Sequence, residues 1–154
     1  MCIRDRLSGL GFDWRVTPVR GVTVETTETY GVRTSKSLHL LFDGQRVRFQ
    51  HISQYLYLEP DKYQLRGRVR TDNLRTERGL VWNLRCNGGK AQQLADSERF
   101  FGSDDWRTFV VDFTVPEAGC RTQMLRLELE GRAELDFQIE GGIWFDDLTV
   151  TRLE

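Results

Sequence analysis

The sequence predicts an all-β domain, a two-sheet antiparallel sandwich of the jelly-roll kind. Three observations carry that prediction. Apolar and polar residues alternate along most of the chain, which is the period of a strand with one face buried and one face wet. Clusters of Gly, Asn, Asp and Pro interrupt the alternation at short intervals. No window sustains the i, i+3, i+4, i+7 apolar spacing of an amphipathic helix. Many short strands punctuated in this way indicate a sandwich or a barrel.

In chain order the strand candidates are Val22–Val24, Leu38–Phe42, Val47–Phe49, Ile52–Leu58, Lys62–Thr71, Leu80–Cys86, Arg107–Val115, Met124–Glu130 and Ile143–Thr151. Lys62–Thr71 is the clearest: Tyr63, Leu65, Gly67 and Val69 share one face, and Gln64, Arg66, Arg68 and Arg70 share the other. Asp43-Gly44, Glu59-Pro60-Asp61, Asn87-Gly88-Gly89, Pro116-Glu117-Ala118-Gly119 and Glu140-Gly141-Gly142 have turn compositions. Asp72–Arg78 and Ala91–Asp105 are polar and irregular, and are expected to be longer connections across the sandwich ends, the second carrying a helical turn.

The chain has 154 residues, a length suited to one domain with one sizeable core. Its 22 basic residues nearly balance 23 acidic ones, so no global field steers it onto nucleic acid or an anionic membrane. The arginine stripe also lacks the interleaved aromatics of a base-stacking surface, so nucleic acid is not an expected partner. No apolar run reaches the roughly 18 to 20 residues of a transmembrane segment. Met1-Cys2-Ile3-Arg4-Asp5-Arg6 resembles translated sequencing-adaptor DNA, so residues 1–6 are set aside as a non-native start. Residues 7–154 are expected to form a single domain that lacks its first native strand. Of the remaining cysteines, Cys86 and Cys120 fit no zinc or redox spacing. Two partly buried thiols are the expectation, with a disulfide as the alternative.

Three collinear stretches carry a family likeness: Gln54-Tyr55-Leu56-Tyr57-Leu58-Glu59-Pro60-Asp61-Lys62-Tyr63-Gln64-Leu65 with Arg68-Val69-Arg70-Thr71, then Trp106 through Phe113-Thr114-Val115-Pro116, then Ile143-Trp144-Phe145-Asp146-Asp147-Leu148-Thr149-Val150. The set resembles the galactose-binding-like jelly rolls, in particular the carbohydrate-binding modules of cellulases and xylanases. The stretch Gly9-Leu10-Gly11-Phe12-Asp13-Trp14 resembles the variety that closes bacterial envelope proteins with tetratricopeptide repeats. The Asn-Gly-(Asp/Gly)-Phe-Glu strand that usually opens the binding modules is absent from this chain. The resemblance implies a non-catalytic binding domain, part of a larger multidomain chain, placed outside the cytoplasm, with a polysaccharide or oligosaccharide as partner. It also implies a structural calcium held by a carboxylate of the closing strand. Asp146 and Asp147 point to opposite faces of that strand, so only one of them can serve. The second reading is a structural or protein-interaction domain of an envelope or exopolysaccharide-associated protein.

A sugar site needs aromatic planes and fixed hydrogen-bonding groups. Tyr55 and Tyr57 alternate with Leu56 and Leu58, which makes them the expected stacking pair. Arg66, Arg68 and Arg70, joined by Asn83, Arg85, Arg126 and Glu128 from neighbouring strands, are expected to line one open sheet face. Trp82 shares parity with Leu80 and Leu84 and is expected in the core. Trp106 and Trp144 are expected to be structural, and His39 and His51 to be plain strand residues. No Gly-x-Ser-x-Gly elbow and no carboxylate pair at hydrolase spacing stands out, so no catalytic residue is expected.

Overall fold

The computed structural model of the chain describes residues 14–29, 35–87 and 92–153. Among them the order is β1 (Arg15–Val16), β2 (Val22–Thr29), β3 (Ser35–Arg46), β4 (Ile52–Leu56), β5 (Asp61–Thr76), β6 (Leu80–Asn87), β7 (Gln93–Asp96), β8 (Gly102–Val115), β9 (Thr122–Leu129), a 3-10 turn (Glu134–Phe137) and β10 (Gln138–Arg152). They form two five-stranded sheets: a front sheet ordered β1-β4-β9-β6-β7 and a back sheet ordered β2-β3-β10-β5-β8. Every pairing is antiparallel. The chain is the two-sheet jelly-roll sandwich that its alternation predicts. From β4 to β6 each strand lies in the sheet opposite its predecessor, and β8, β9 and β10 do so again.

The inner faces meet in one continuous core. Leu38, Leu40, Tyr63, Leu65, Phe145 and Val150 of the back sheet pack with Ile52, Leu56, Trp82, Leu84, Leu125 and Leu127 of the front sheet. Trp82 is fully buried, as its parity predicts. Its ring meets Phe145 edge-on at 5.1 Å, and Phe100 joins Phe145 at 5.3 Å and Phe109 at 5.2 Å. Each such burial is worth about 1.5–3 kcal/mol before ordering entropy is counted.

Two expected turns lie inside strands. Asp43-Gly44 sits in β3 and Glu140-Gly141-Gly142 in β10, and the β3 and β10 registers shift between Gln138 and Glu140. These glycines serve bulges rather than hairpins. Gly141 has φ +109°, and a Cβ there would lie 2.6 Å from the Asn73 carbonyl carbon. Asp72–Arg78 is likewise no loop as a whole, because β5 runs on to Thr76 with Asn73 in the left-handed region at φ 48°. Thr71 and Leu74 both turn inward, three residues apart instead of two. Ala91–Asp105 contains β7 and the start of β8, and the only helical turn among the described residues is at Glu134–Phe137. Val47–Phe49 crosses between the sheets outside any strand, held by Val47 N to Phe137 O at 2.9 Å and Leu129 N to Phe49 O at 2.9 Å.

Cys86 and Cys120 are bridged, which corrects the expectation of free thiols. The bridge ties the end of β6 to the β8–β9 connection across a separation of 34 residues. Beside it the fully buried Gln123 accepts from Leu58 N at 2.9 Å and donates to Cys120 O at 2.6 Å, clasping two connections. At the Glu59-Pro60-Asp61 turn, the Tyr63 hydroxyl donates to Glu59 O at 2.6 Å. The 3-10 turn is closed by its own Asp136, which accepts from Arg132 N at 2.9 Å, Ala133 N at 3.1 Å and Arg78 Nε at 3.0 Å. The Arg132 amide leads these donors in holding the carboxyl below its ordinary value of 3.8.

Two outcomes follow. Replacing Cys86 and Cys120 with alanine should lower unfolding stability by about 2–4 kcal/mol, read from the denaturant midpoint, because a loop of this length loses its closure constraint. Asp136 has its pKa depressed by folding, so its contribution is present above the unfolded-state value and lost as pH falls through the folded one. Asp136→Asn should therefore lower the thermal midpoint at neutral pH, and the gap from the wild type should close below about pH 4.

Candidate functional site

The outward side of the front sheet carries a connected polar network, in which Asn83 and Glu128 are buried and Tyr55, Arg85 and Arg126 are half-buried. Pairing aligns Arg15, Ser53, Arg126, Asn83 and Asp96 in one row across β1, β4, β9, β6 and β7. A second row runs Tyr55, Met124, Arg85 and Gln93. Glu128 stands opposite Val81. Alternation drives this: Trp82 and Leu84 point inward, which turns Asn83 and Arg85 out, and Leu125 and Leu127 do the same for Met124, Arg126 and Glu128.

These side chains hold one another. Glu128 accepts from Arg85 Nη2 at 3.2 and 3.3 Å through its two oxygens, and from Arg126 Nε at 2.8 Å. Arg85 Nε donates to Asn83 Oδ1 at 2.6 Å, Asn83 Nδ2 to Asp96 Oδ1 at 2.6 Å, and Gln93 Nε2 to Asp96 Oδ2 at 2.7 Å. The Glu128 side chain is 10% exposed, against 27% for Arg85 and 20% for Arg126. Such a network is stiff, because each partner that moves strands another without water. Tyr55 is half-buried beside it, with the Arg15 guanidinium 4.5 Å above its ring. Glu128 also borders a cleft of about 340 Å³ lined by Arg48, Gln50 and Glu130 at the sheet's end.

The expected single face is not formed. Tyr55, Asn83 and Arg85 lie on the front sheet, whereas Arg66, Arg68 and Arg70 face outward from β5 in the back sheet, with the core between them. The reason is topological: β5 and β6 are consecutive in sequence but belong to different sheets. Tyr57 lies one residue beyond the end of β4 and is 71% exposed, so it does not share a strand with Tyr55. Arg126 and Glu128 do join Asn83 and Arg85. Gln93 and Asp96 were hidden in a segment that reads as loop, because the four residues of β7 are too few for alternation to register.

On the back sheet, neither Trp106 nor Trp144 enters the core; both face outward. Trp144 stacks on His39 at 4.3 Å and 6°. The bulge at Asp147, with φ 52°, explains the parity: Phe145 before it and Leu148 and Val150 after it all face inward. His51 precedes β4 and tilts against Phe49 at 5.7 Å. Asp146 Oδ1 accepts from the Ser37 hydroxyl at 3.1 Å and the Asp147 amide at 2.9 Å, closing that bulge. Among the described residues no group of three His, Cys, Asp or Glu side chains could hold a metal ion, so the implied calcium finds no carboxylate set around Asp146 or Asp147 there. Residues 1–13, with the adaptor-like start and the Gly9–Asp13 stretch, and residues 88–89 of the Asn87-Gly88-Gly89 turn, lie outside the described residues.

The sequence matches no protein-family model and no curated protein. The fold matches carbohydrate-binding modules among solved structures. A CBM4 module superposes with TM-score 0.58 at 18% identity, covering 86% of this chain and 79% of that one. The CBM22-1 xylan-binding domain of Paenibacillus barcinonensis Xyn10C gives TM-score 0.58 at 16% identity, covering 92% and 86%. The CBM22-2 xylan-binding domain of the same protein gives 0.55 at 15%, covering 99% and 97%. At such identities the likeness establishes the fold.

Removing Glu128 would leave two adjacent, mostly buried guanidinium groups unpaired. Glu128→Ala should therefore destabilise the domain by about 2–4 kcal/mol in chemical denaturation, and Arg85→Met combined with it should recover part of the loss.

Proposed function

We propose that this chain is a non-catalytic carbohydrate-binding module that takes a polysaccharide or oligosaccharide on the outward face of its front sheet. The observation that carries the reading is the Asp96–Asn83–Arg85–Glu128–Arg126 network beside Tyr55 and Met124. Sugar hydroxyls need donors and acceptors already fixed in place, and pyranose C–H faces need a flat apolar neighbour. Both needs are met on one sheet. Asp96 and Glu128 are engaged by amides and guanidiniums, so they act as positioning groups rather than as an acid and base pair.

Solved modules of the same fold support this assignment, two of them xylan-binding domains. The Cys86–Cys120 bridge supports a compartment outside the cytoplasm, where disulfides persist. The same reading makes the module one part of a larger multidomain chain.

Isothermal titration with soluble xylan and xylohexaose, backed by an array of neutral plant and bacterial glycans, tests the proposal. The wild type should bind, and Tyr55→Ala and Arg85→Ala should each weaken binding at least about tenfold. Arg68→Ala, on the opposite sheet, should leave the affinity within about twofold. A folded protein with no neutral ligand on that array would refute the reading.

A further inference from the structure

The two sheets hold their arginines in different ways. On the front sheet, Arg85 and Arg126 share the buried carboxylate of Glu128, so their charge is met inside the protein. On the back sheet, indoles hold the guanidinium groups. Arg68 Cζ lies 5.2 Å from the Trp106 ring centroid, and Arg70 Cζ lies 4.7 Å from that of Trp144. Trp144 is itself braced on its other side by His39. Its ring edge also reaches over Gly142, where a Cβ would come within 3.2 Å of it.

An aromatic face attracts a guanidinium group without cancelling its charge, and the N–H groups stay able to donate. Arg66, Arg68 and Arg70 have no ion-pair partner among the described residues. Asp146, in register with Arg68, is turned instead to the Ser37 hydroxyl and the Asp147 amide, and Asp112 to the Gln64 amide at 2.9 Å, so neither carboxylate pairs with the row although both keep their charge on this face. Alternate residues of a strand stand about 7 Å apart, so Arg68 and Arg70 bring two indole-held guanidinium groups side by side.

We propose that this row is a second, separate recognition surface, and that its ligand is the carboxylates of an acidic, uronate-bearing polysaccharide. The proposal rests on the carbohydrate reading above and assigns charge selectivity to the sheet opposite the neutral site. A guanidinium fork pairs with a carboxylate bidentately, whereas a neutral hydroxyl meets only one of its edges.

Affinity electrophoresis through gels containing polygalacturonate, or the same polymer fully methyl-esterified, tests it. The wild type should be retarded by the acid form at least about tenfold more strongly than by the ester. The double variant Arg68→Ala/Arg70→Ala should lose that difference, and Arg68→Lys/Arg70→Lys should recover only part of it, since an ammonium group lacks the planar fork. Arg121→Ala, which removes an exposed charge from the β8–β9 connection, should leave retardation by the acid form unchanged. Circular dichroism and the thermal midpoint confirm that each variant is folded. No retardation by polygalacturonate, equal retardation by the ester, or indifference to the double alanine variant would overturn the proposal. Equal retardation by duplex DNA with the same arginine dependence would do so as well. The xylan titration separates the two sites: its failure alone removes the front-sheet site, and failure of the electrophoresis alone removes this one.

Discussion

The structure depends on the aromatic junction in which Trp82 of the front sheet meets Phe145 of the back sheet, with Phe100 and Phe109 closing the same contact. Interior side chains pack at crystal-like density, so these rings fix both the separation of the sheets and the rotation of each strand about its axis. Once Trp82 points inward, Asn83 and Arg85 have no direction left but outward. Once Phe145 points inward, Trp144 is committed to the opposite surface. The residues of the two outward faces are thus set by the core, and a change in core register would exchange them with those of the interior.

That dependence explains what was legible in the residues. Tyr63, Leu65, Gly67 and Val69 declare one face of β5 and Arg66, Arg68 and Arg70 the other, and the structure keeps that division. The burial of Trp82 follows from the same period. Sheet membership does not, because alternation states which way a side chain points relative to its own strand and is silent about the strand beside it. Consecutive strands usually pair, and the habit fails here at β5 and β6. Tyr55, Asn83 and Arg85 therefore part company with Arg66, Arg68 and Arg70.

The other departures share one cause. Bulges at Gly44, Asn73 and Asp147 insert a residue without ending the strand, so a period of two breaks where the ladder continues. Asp43-Gly44 and Glu140-Gly141-Gly142 carry the composition of turns because bulges and turns ask the backbone for the same positive φ. The disulfide was out of reach for a different reason. A separation of 34 residues says nothing about distance until β6 and the β8–β9 connection are known to end at the same edge.

An arginine-rich chain faces a particular difficulty, and the two sheets resolve it in two ways. Of its 22 basic residues 19 are Arg, and a long flexible cation on a sheet surface loses side-chain entropy whenever it is ordered. A carboxylate such as Glu128 orders two guanidinium groups at once and cancels part of their charge. An indole orders a single guanidinium through its flat face and cancels none. The first arrangement yields a rigid surface close to neutral, suited to hydroxyls; the second yields an equally rigid surface that keeps its positive edge. Rigidity is common to both because each holds the fork before any ligand arrives, and what differs is the charge left over to select one.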